Sequence, residues 1–263
     1  RCVRGGLQIG NFMGAGLMTM ITRIARKLGL KSLPLWNAQL PKQSPIISSY
    51  SNGVGKTYIY FPSCLHRTMG PDSVINKFME LAPQLDVELI IPDKIHSLCC
   101  GMPFASKGFD NAHSLINENT IDELYSLSKG GQIPILMDMS PCSYHIQNIK
   151  YDKKNTLQFV DIIEFFHEKI ENLNPYHDPS KEVVIHHTCS GQKMQQEIMM
   201  EEVVRSLAGN VVTPHVNGCC GSAGDRGLFF PELTNSASDN CANSYPEFSN
   251  KAVGVSSSKM CEI

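Results

Sequence analysis

The feature that most constrains this chain is a cysteine motif that occurs twice with matched spacing. Each copy has a single cysteine, then a Cys-Cys-Gly triplet, then a final cysteine. The first copy is Cys64, Cys99-Cys100-Gly101 and Cys142; the second is Cys189, Cys219-Cys220-Gly221 and Cys261. The leading gap is 35 residues in one copy and 30 in the other, and the trailing gap is 42 and 41. Matched gaps of this kind read as an internal repeat. They take up eight of the ten cysteines and leave Cys2 and Cys241. Free cysteine often serves as a small buried hydrophobe, and that reading suits these two. It does not account for two complete sets with the same spacing.

Patterns around the cysteines alternate between strand and helix. In the first repeat a strand is expected over 57–62, a helix from Asp72 to Ala82 between Pro71 and Pro83, and a strand from Val87 to Ile91. A long helix follows from about Gly108 to Ser128, then a strand over 133–138 and a short helix from about Cys142. The second repeat is expected to copy this order, with a strand over 182–187, a helix over 193–207, a strand over 210–213, a helix from about Phe229 and a strand over 251–256. Asp161 to Asn172 reads as an amphipathic helix, and Asn172 to Lys181 as a polar linker. The fold class is therefore α/β: two pseudo-symmetric repeats, each a parallel sheet flanked by helices. The expected units are 1–54 as a leader or linker, 55–172 as the first repeat and 173–263 as the second. Each motif cysteine follows the carboxyl end of a strand, the edge where open α/β sheets bind ligands.

Thiolate sulfur is a soft ligand that selects zinc or iron–sulfur clusters over hard cations. Neighbouring cysteines diverge and suit a cluster, where each can reach a different iron, better than one small ion. Cys64, Cys99, Cys100 and Cys142, and Cys189, Cys219, Cys220 and Cys261, are the candidate metal ligands. Gly101 and Gly221 fit a turn with positive φ, or a close backbone approach to a cofactor. Histidines lie near the sets at His66, His96, His145, His186, His187 and His215, and most read as ordinary polar residues at the site edge. His145 differs, because it stands three residues after Cys142, where a Cys-x-x-Cys motif would put its second thiol. Gly14-Ala15-Gly16 follows no strand and is no nucleotide fingerprint; Gly221 to Gly227 is glycine-rich but lacks a Gly-Lys-Ser/Thr. Cys189 beside His187 is a conceivable nucleophile, a role that the cysteine sets make unnecessary.

Several stretches carry a resemblance. They are Phe61-Pro62-Ser63-Cys64, Leu98 to Phe104, Ser140 to His145, His187-Thr188-Cys189, Gly218 to Gly227 and Ser256 to Ile263. Here the chain resembles the cysteine-rich Cys-Cys-Gly domains of heterodisulfide reductases, the anaerobic glycerol-3-phosphate dehydrogenase and glycolate oxidase iron–sulfur subunits and lactate-utilisation proteins. It looks most like the C-terminal part of large FAD-linked D-lactate dehydrogenases. The resemblance covers about residues 55–263. The leader, with Leu35-Trp36-Asn37 and Leu40-Pro41, looks like the segment that joins a ferredoxin-like part to such repeats. What this implies is a 4Fe-4S type cluster, with zinc as the option for one repeat. FAD would sit on a part of the parent protein outside this chain. The implied partners are flavin dehydrogenase and ferredoxin-like domains or subunits and a quinone or other electron acceptor. The implied location is the cytoplasm, or the cytoplasmic face of the membrane as a peripheral component. Heterodisulfide reductases close each five-cysteine cluster with Cys-x-x-Cys. His145 stands at that place in the first repeat here, so a four-cysteine cluster or zinc is the simpler expectation.

Composition bounds the rest. In 263 residues the net charge is -2, with 42% hydrophobic and 18% charged residues. That is the profile of a globular chain with no cationic surface for nucleic acid. No apolar run reaches the length of a membrane span. Residues 7–21 are apolar but diluted by glycine, and read as a helix packed on a neighbour. The start at Arg1 and the lack of a polar tail at Ile263 read as a piece of a longer protein.

Overall fold

The computed structural model describes residues 2–36, 40, 42–45, 47, 53, 55–70 and 74–262; the side chains of residues 2–4 and 11 lie outside that description. Pro71 and Asp72, at the expected start of a helix, lie outside it, as do Asn37 and Pro41 of the leader and the side chain of Cys2.

Among the described residues seven strands form two sheets, each parallel throughout. The first has β1 (Lys56–Phe61), β2 (Val87–Ile90), β3 (Ile135–Met137) and β4 (Phe159–Asp161), in the order β2-β1-β3-β4. The second has β5 (Asp178–His186), β6 (Ala208–Val212) and β7 (Val253–Ser256), in the order β6-β5-β7. In both, the first strand of the repeat lies in the middle, and the next two flank it. The chain therefore changes direction across the sheet beside β1 and beside β5. Such a reversal leaves a crevice at the carboxyl ends of the strands.

The helices are α1 (Cys2–Met13), α2 (Ala15–Lys27), α3 (Val74–Leu81), α4 (Met102–Ala105), α5 (Asp110–Leu127), α6 (Ser140–Gln147), α7 (Ile162–Glu168), α8 (Ile170–Leu173), α9 (Cys189–Lys193), α10 (Glu197–Leu207) and α11 (Pro231–Ala242). Among the described residues no helix is long and apolar enough to cross a membrane. The apolar stretch 7–21 is not one helix but the end of α1 and the start of α2, which break at Gly14, where φ is 81°. These helices keep Ile9, Phe12, Met20 and Ile24 exposed.

Central strands of a parallel sheet are covered on both faces, so they read as continuous apolar runs. Tyr58, Ile59, Tyr60 and Phe61 are all buried in β1. Around them the aromatic rings meet edge to face. Tyr58 and Phe165 are 5.5 Å apart, Tyr60 and Phe78 5.1 Å, and Phe78 and Phe165 5.6 Å. Each such pair adds roughly 0.5–1.5 kcal/mol beyond area burial. The second sheet has a much thinner core of Ile163, Ile185, Met200 and Val204. Helix α7 serves both cores: Phe165 belongs to the first and Ile163 to the second.

Three expectations are corrected. The segment Asn172 to Lys181 is not all linker, because β5 already begins at Asp178 and pairs with Ala208. The helix expected over 193–207 begins only at Glu197: Lys193 ends a separate short helix, and Gln195 between the two takes φ 57°. The helix expected from Asp161 is two, α7 and α8, and is preceded by the additional strand β4. Three residues are too few to show a period. Asp161 ends that strand and caps the helix. Its carboxylate accepts from Ile163 N at 3.0 Å, and Glu164 completes a capping box. It also accepts from Ser143 Oγ at 2.5 Å and Ser140 Oγ at 3.2 Å, which anchors α6 to β4.

Burial pushes the Asp161 carboxyl up to about 6, against the pull of Ser143 and the Ile163 N–H. The folded chain therefore holds that proton more tightly than the unfolded chain. This contribution is present in full below the unfolded value near 3.8 and is lost as pH rises through about 6. The difference is worth about 3 kcal/mol. Urea unfolding of the reduced protein should show this loss between pH 4 and 6, and Asp161→Asn should flatten it. An unchanged slope in the variant would refute the assignment.

Candidate metal centres

Three neighbouring parallel strands deliver the first thiol set. Cys64 follows β1, Cys99 and Cys100 follow β2 after a 3-10 turn (Ile95–Ser97), and Cys142 follows β3 inside the first turn of α6. That turn is the amino end of a helix, where backbone dipoles favour negative charge. The Sγ atoms of Cys100 and Cys142 are 3.3 Å apart, and Cys99 is hydrogen-bonded to both Cys64 and Cys100. Cys100 and Cys142 are buried; Cys64 and Cys99 are half-buried.

Buried polar groups hold this arrangement. Asp138, at the end of β3, accepts from Ser63 N at 2.7 Å and Tyr60 OH at 2.9 Å, and pairs with His66 Nδ1 at 2.8 Å. The Cys64 turn is thereby tied to the strand that carries Cys142. Burial pushes the Asp138 carboxyl up, but His66, Ser63 and Tyr60 outweigh it and hold the carboxyl below its ordinary value. Thr120 of α5 accepts from Cys99 N at 3.2 Å and donates to Cys99 O at 2.9 Å. Arg67, 4% exposed, donates to the carbonyls of Ser63, Ile95 and Leu98. Its charge acts on Cys64, Cys99 and Cys142, so a buried cation stands beside the thiols.

Hydrogen bonds from Cys100 and Cys64 draw the Cys99 thiol down to about 3, with help from Gly101 N–H and Arg67 and against burial. The contact with Cys99, with burial, pushes Cys64 well above the ordinary thiol value, and the contacts with Cys142 and Cys99, with burial, do the same for Cys100. One thiolate at Cys99 shared with the protonated thiols of Cys64 and Cys100 describes the metal-free state. A bound metal would displace the remaining protons.

The second set repeats the plan. Cys189 follows β5 as the first residue of α9, Cys219 and Cys220 follow β6, and Cys261 follows β7. Thr188 Oγ1 accepts from Gly191 N at 3.0 Å, as Ser63 Oγ accepts from His66 N at 3.2 Å. Where Asp138 ties β1 to β3, Ser257 Oγ lies 3.1 Å from Thr188 Oγ1 and ties β5 to β7. The Sγ atoms of Cys220 and Cys261 are 3.2 Å apart. A hydrogen bond from Cys261 draws Cys220 down to about 3, and His186 and Ser222 add to it. Cys189 and Cys219 are exposed. The two cysteine-bearing edges face each other: Ser140 N donates to Ser257 O at 3.1 Å, and Lys193 Nζ lies 5.1 Å from the Tyr144 ring centre.

Both glycines of the triplets take positive φ, 88° at Gly101 and 73° at Gly221. Each also lies under a helix. A Cβ on Gly101 would meet Asn117 Oδ1 at 2.2 Å, and one on Gly221 would meet Leu233 O at 2.5 Å and Ala237 Cβ at 2.7 Å. Asn117 and Ala237 each stand 16 residues beyond their glycine, so α5 and α11 cover equivalent loops.

Two residues of the second site exceed their reading in sequence. His186 reads there as an edge residue, yet its ring nitrogen lies with Cys220 and Cys261 Sγ, all within 4.8 Å of one another. Cys241 reads as an ordinary buried thiol, yet it is half-exposed and its Sγ is 3.7 Å from His186 Nδ1. A signal for it is present: Leu233, Ala237 and Cys241 are spaced by four and share one helix face. The face of α11 that covers the Cys-Cys-Gly loop therefore carries the cysteine. In the first repeat, His145 Nε2 faces His113 Nε2 at 3.0 Å. These two line a cavity of about 370 Å³ with Asn117 and Tyr151.

The glycine geometry yields a prediction. Gly108 also has positive φ, 73°, but open space around its Cβ position. Gly108→Ala should cost about 1 kcal/mol from backbone strain alone. Gly101→Ala should cost at least about twice that, because Asn117 must also move. Equal losses in urea unfolding of the two variants would contradict the close approach.

A model of the cysteine-rich CCG domain matches the chain twice, over residues 58–147 and 183–262. A search of curated proteins finds no match. The two matched segments span more than half of the sequence and carry both thiol sets, and the chain belongs to the CCG cysteine-rich domain family.

Proposed function

We propose that this chain is the iron–sulfur electron-transfer module of a flavin-linked 2-hydroxy-acid dehydrogenase of the D-lactate or glycolate type. On this reading it takes electrons from a reduced flavin, by way of a ferredoxin-like part, and passes them towards a quinone or another acceptor. Its location is the cytoplasm or the cytoplasmic face of a membrane. It carries electrons and oxidises no substrate by itself.

The observation that carries the reading is the gathering of four thiols, Cys64, Cys99, Cys100 and Cys142, in one chain of contacts at the strand edge. The donor chemistry agrees, because four thiolates are the ligands that iron–sulfur clusters require. A cluster bound there would supply one-electron redox chemistry.

The chain's own residues have defined parts in this. Cys64, Cys99, Cys100 and Cys142 would hold the cluster, and Gly101 gives it a close backbone approach. Arg67 offsets part of the thiolate charge in a buried place, where an uncompensated charge is costly. Asp138 and His66 fix the Cys64 turn, and so keep the distance to Cys142 constant through a change of charge. The cavity at His113 and His145 offers a small acceptor an approach to this edge. The facing edge carries a further metal centre.

The test is anaerobic purification followed by iron and acid-labile sulfide analysis and stepwise reduction. The protein should contain iron and sulfide in equal amounts. Its charge-transfer absorption should bleach with photoreduced flavin and return with a soluble quinone. Protein that holds zinc alone, or bound iron that reduced flavin leaves unchanged, would overturn the proposal.

A further inference from the structure

The two thiol sets occupy the same place in the fold but do not present the same donors. In the first repeat, β1 ends in Phe61; the matching residue of β5 is His186. Its ring nitrogen, Cys220 Sγ and Cys261 Sγ all lie within 4.8 Å of one another. A zinc ion with Zn–S near 2.3 Å and Zn–N near 2.0–2.1 Å places its donors about 3.6–3.8 Å apart. That spacing is within reach of this trio. Cys189 and Cys219 are exposed and stand outside it.

The surroundings differ in the same sense. The buried Arg67 beside the first set has Gln192 as its counterpart, and the buried Asp138 has Ser257. The second edge therefore has no buried cation at that place to offset an all-thiolate cluster. It has instead an imidazole and two thiols, a mixed set that suits zinc. Cys241 Sγ, 3.7 Å from His186 Nδ1, brings a further thiol to the same ring.

We infer that the second repeat binds a single divalent ion of the zinc type through Cys220, Cys261 and His186, and that Cys189 and Cys219 are not among its ligands. Three protein donors on a half-exposed edge leave a fourth position open to water or a small ligand, as in zinc sites that keep an open position. Only one thiol of the Cys219–Cys220 pair is needed, which removes the difficulty of bringing two adjacent side chains to one small ion. The inference rests on reading both sets as metal sites.

The test uses the full chain, purified anaerobically, with zinc and iron measured together. Reduced, metal-free protein is then titrated with Co(II) as the probe. Wild-type protein should carry one zinc per chain beside any iron. The Co(II) spectrum should show thiolate charge-transfer bands with the intense visible bands of a four-coordinate site. Cys220→Ser and Cys261→Ser should each weaken Co(II) binding at least tenfold. His186→Ala should weaken it similarly, with far-UV circular dichroism as the check on folding. Cys189→Ser and Cys219→Ser should retain the zinc and the Co(II) spectrum. The inference is overturned if Cys189→Ser or Cys219→Ser loses the ion as Cys220→Ser does, or if folded His186→Ala binds as tightly as wild type. Iron and sulfide in both repeats with no zinc would also overturn it, and would leave the electron-transfer reading intact. Zinc at the second site with no iron at the first would uphold it and sink the electron-transfer reading instead.

Discussion

Parallel pairing around a central strand is the constraint on which the rest depends. Because β1 lies between β2 and β3, the chain leaves the sheet beside one strand tip three times, and each exit delivers a thiol. The same holds for β5 between β6 and β7. No cysteine in either set lies near its partners in sequence, apart from the vicinal pairs. They are brought together only because strands of one direction end at one edge. Loss of sheet register would separate the thiols before it disturbed any of them locally.

Charge at that edge is managed by burial and pairing together. Asp138 is fully enclosed but has three hydrogen-bond donors, and Arg67 is enclosed but has carbonyls on every side. Removing one partner from such an arrangement typically costs about 3–5 kcal/mol, because the other charge is left buried and unpaired. The paired charges hold the first set in a rigid and compensated frame. The second edge uses a hydroxyl pair, Thr188 and Ser257, for the same tie and has a much thinner core behind it. It is the more open of the two.

Most of the architecture is legible in the sequence, because matched cysteine gaps and apolar strands such as Thr57 to Phe61 carry strong patterns. The order of strands and helices follows from them, and the parallel sheets follow from the alternation. What escapes is short or tertiary. Phe159-Val160-Asp161 is too brief to announce a strand and is defined by its pairing with β3. The break at Gln195 depends on one residue adopting φ 57°, which no periodicity reveals. No sequence pattern marks Arg67 or Asp138 as buried, and the fold is what encloses them. His186 is the informative miss: a strand-end histidine looks ordinary until β6 and β7 bring Cys220 and Cys261 to its side.

The central claim is that the first thiol set holds a cluster of iron and sulfide at the strand tips. The most direct measurement is iron K-edge X-ray absorption on the anaerobically prepared full chain. The account predicts a first shell of sulfur around iron and a clear iron–iron scattering path, both lost in Cys142→Ser. An oxygen or nitrogen shell with no iron–iron path would contradict it.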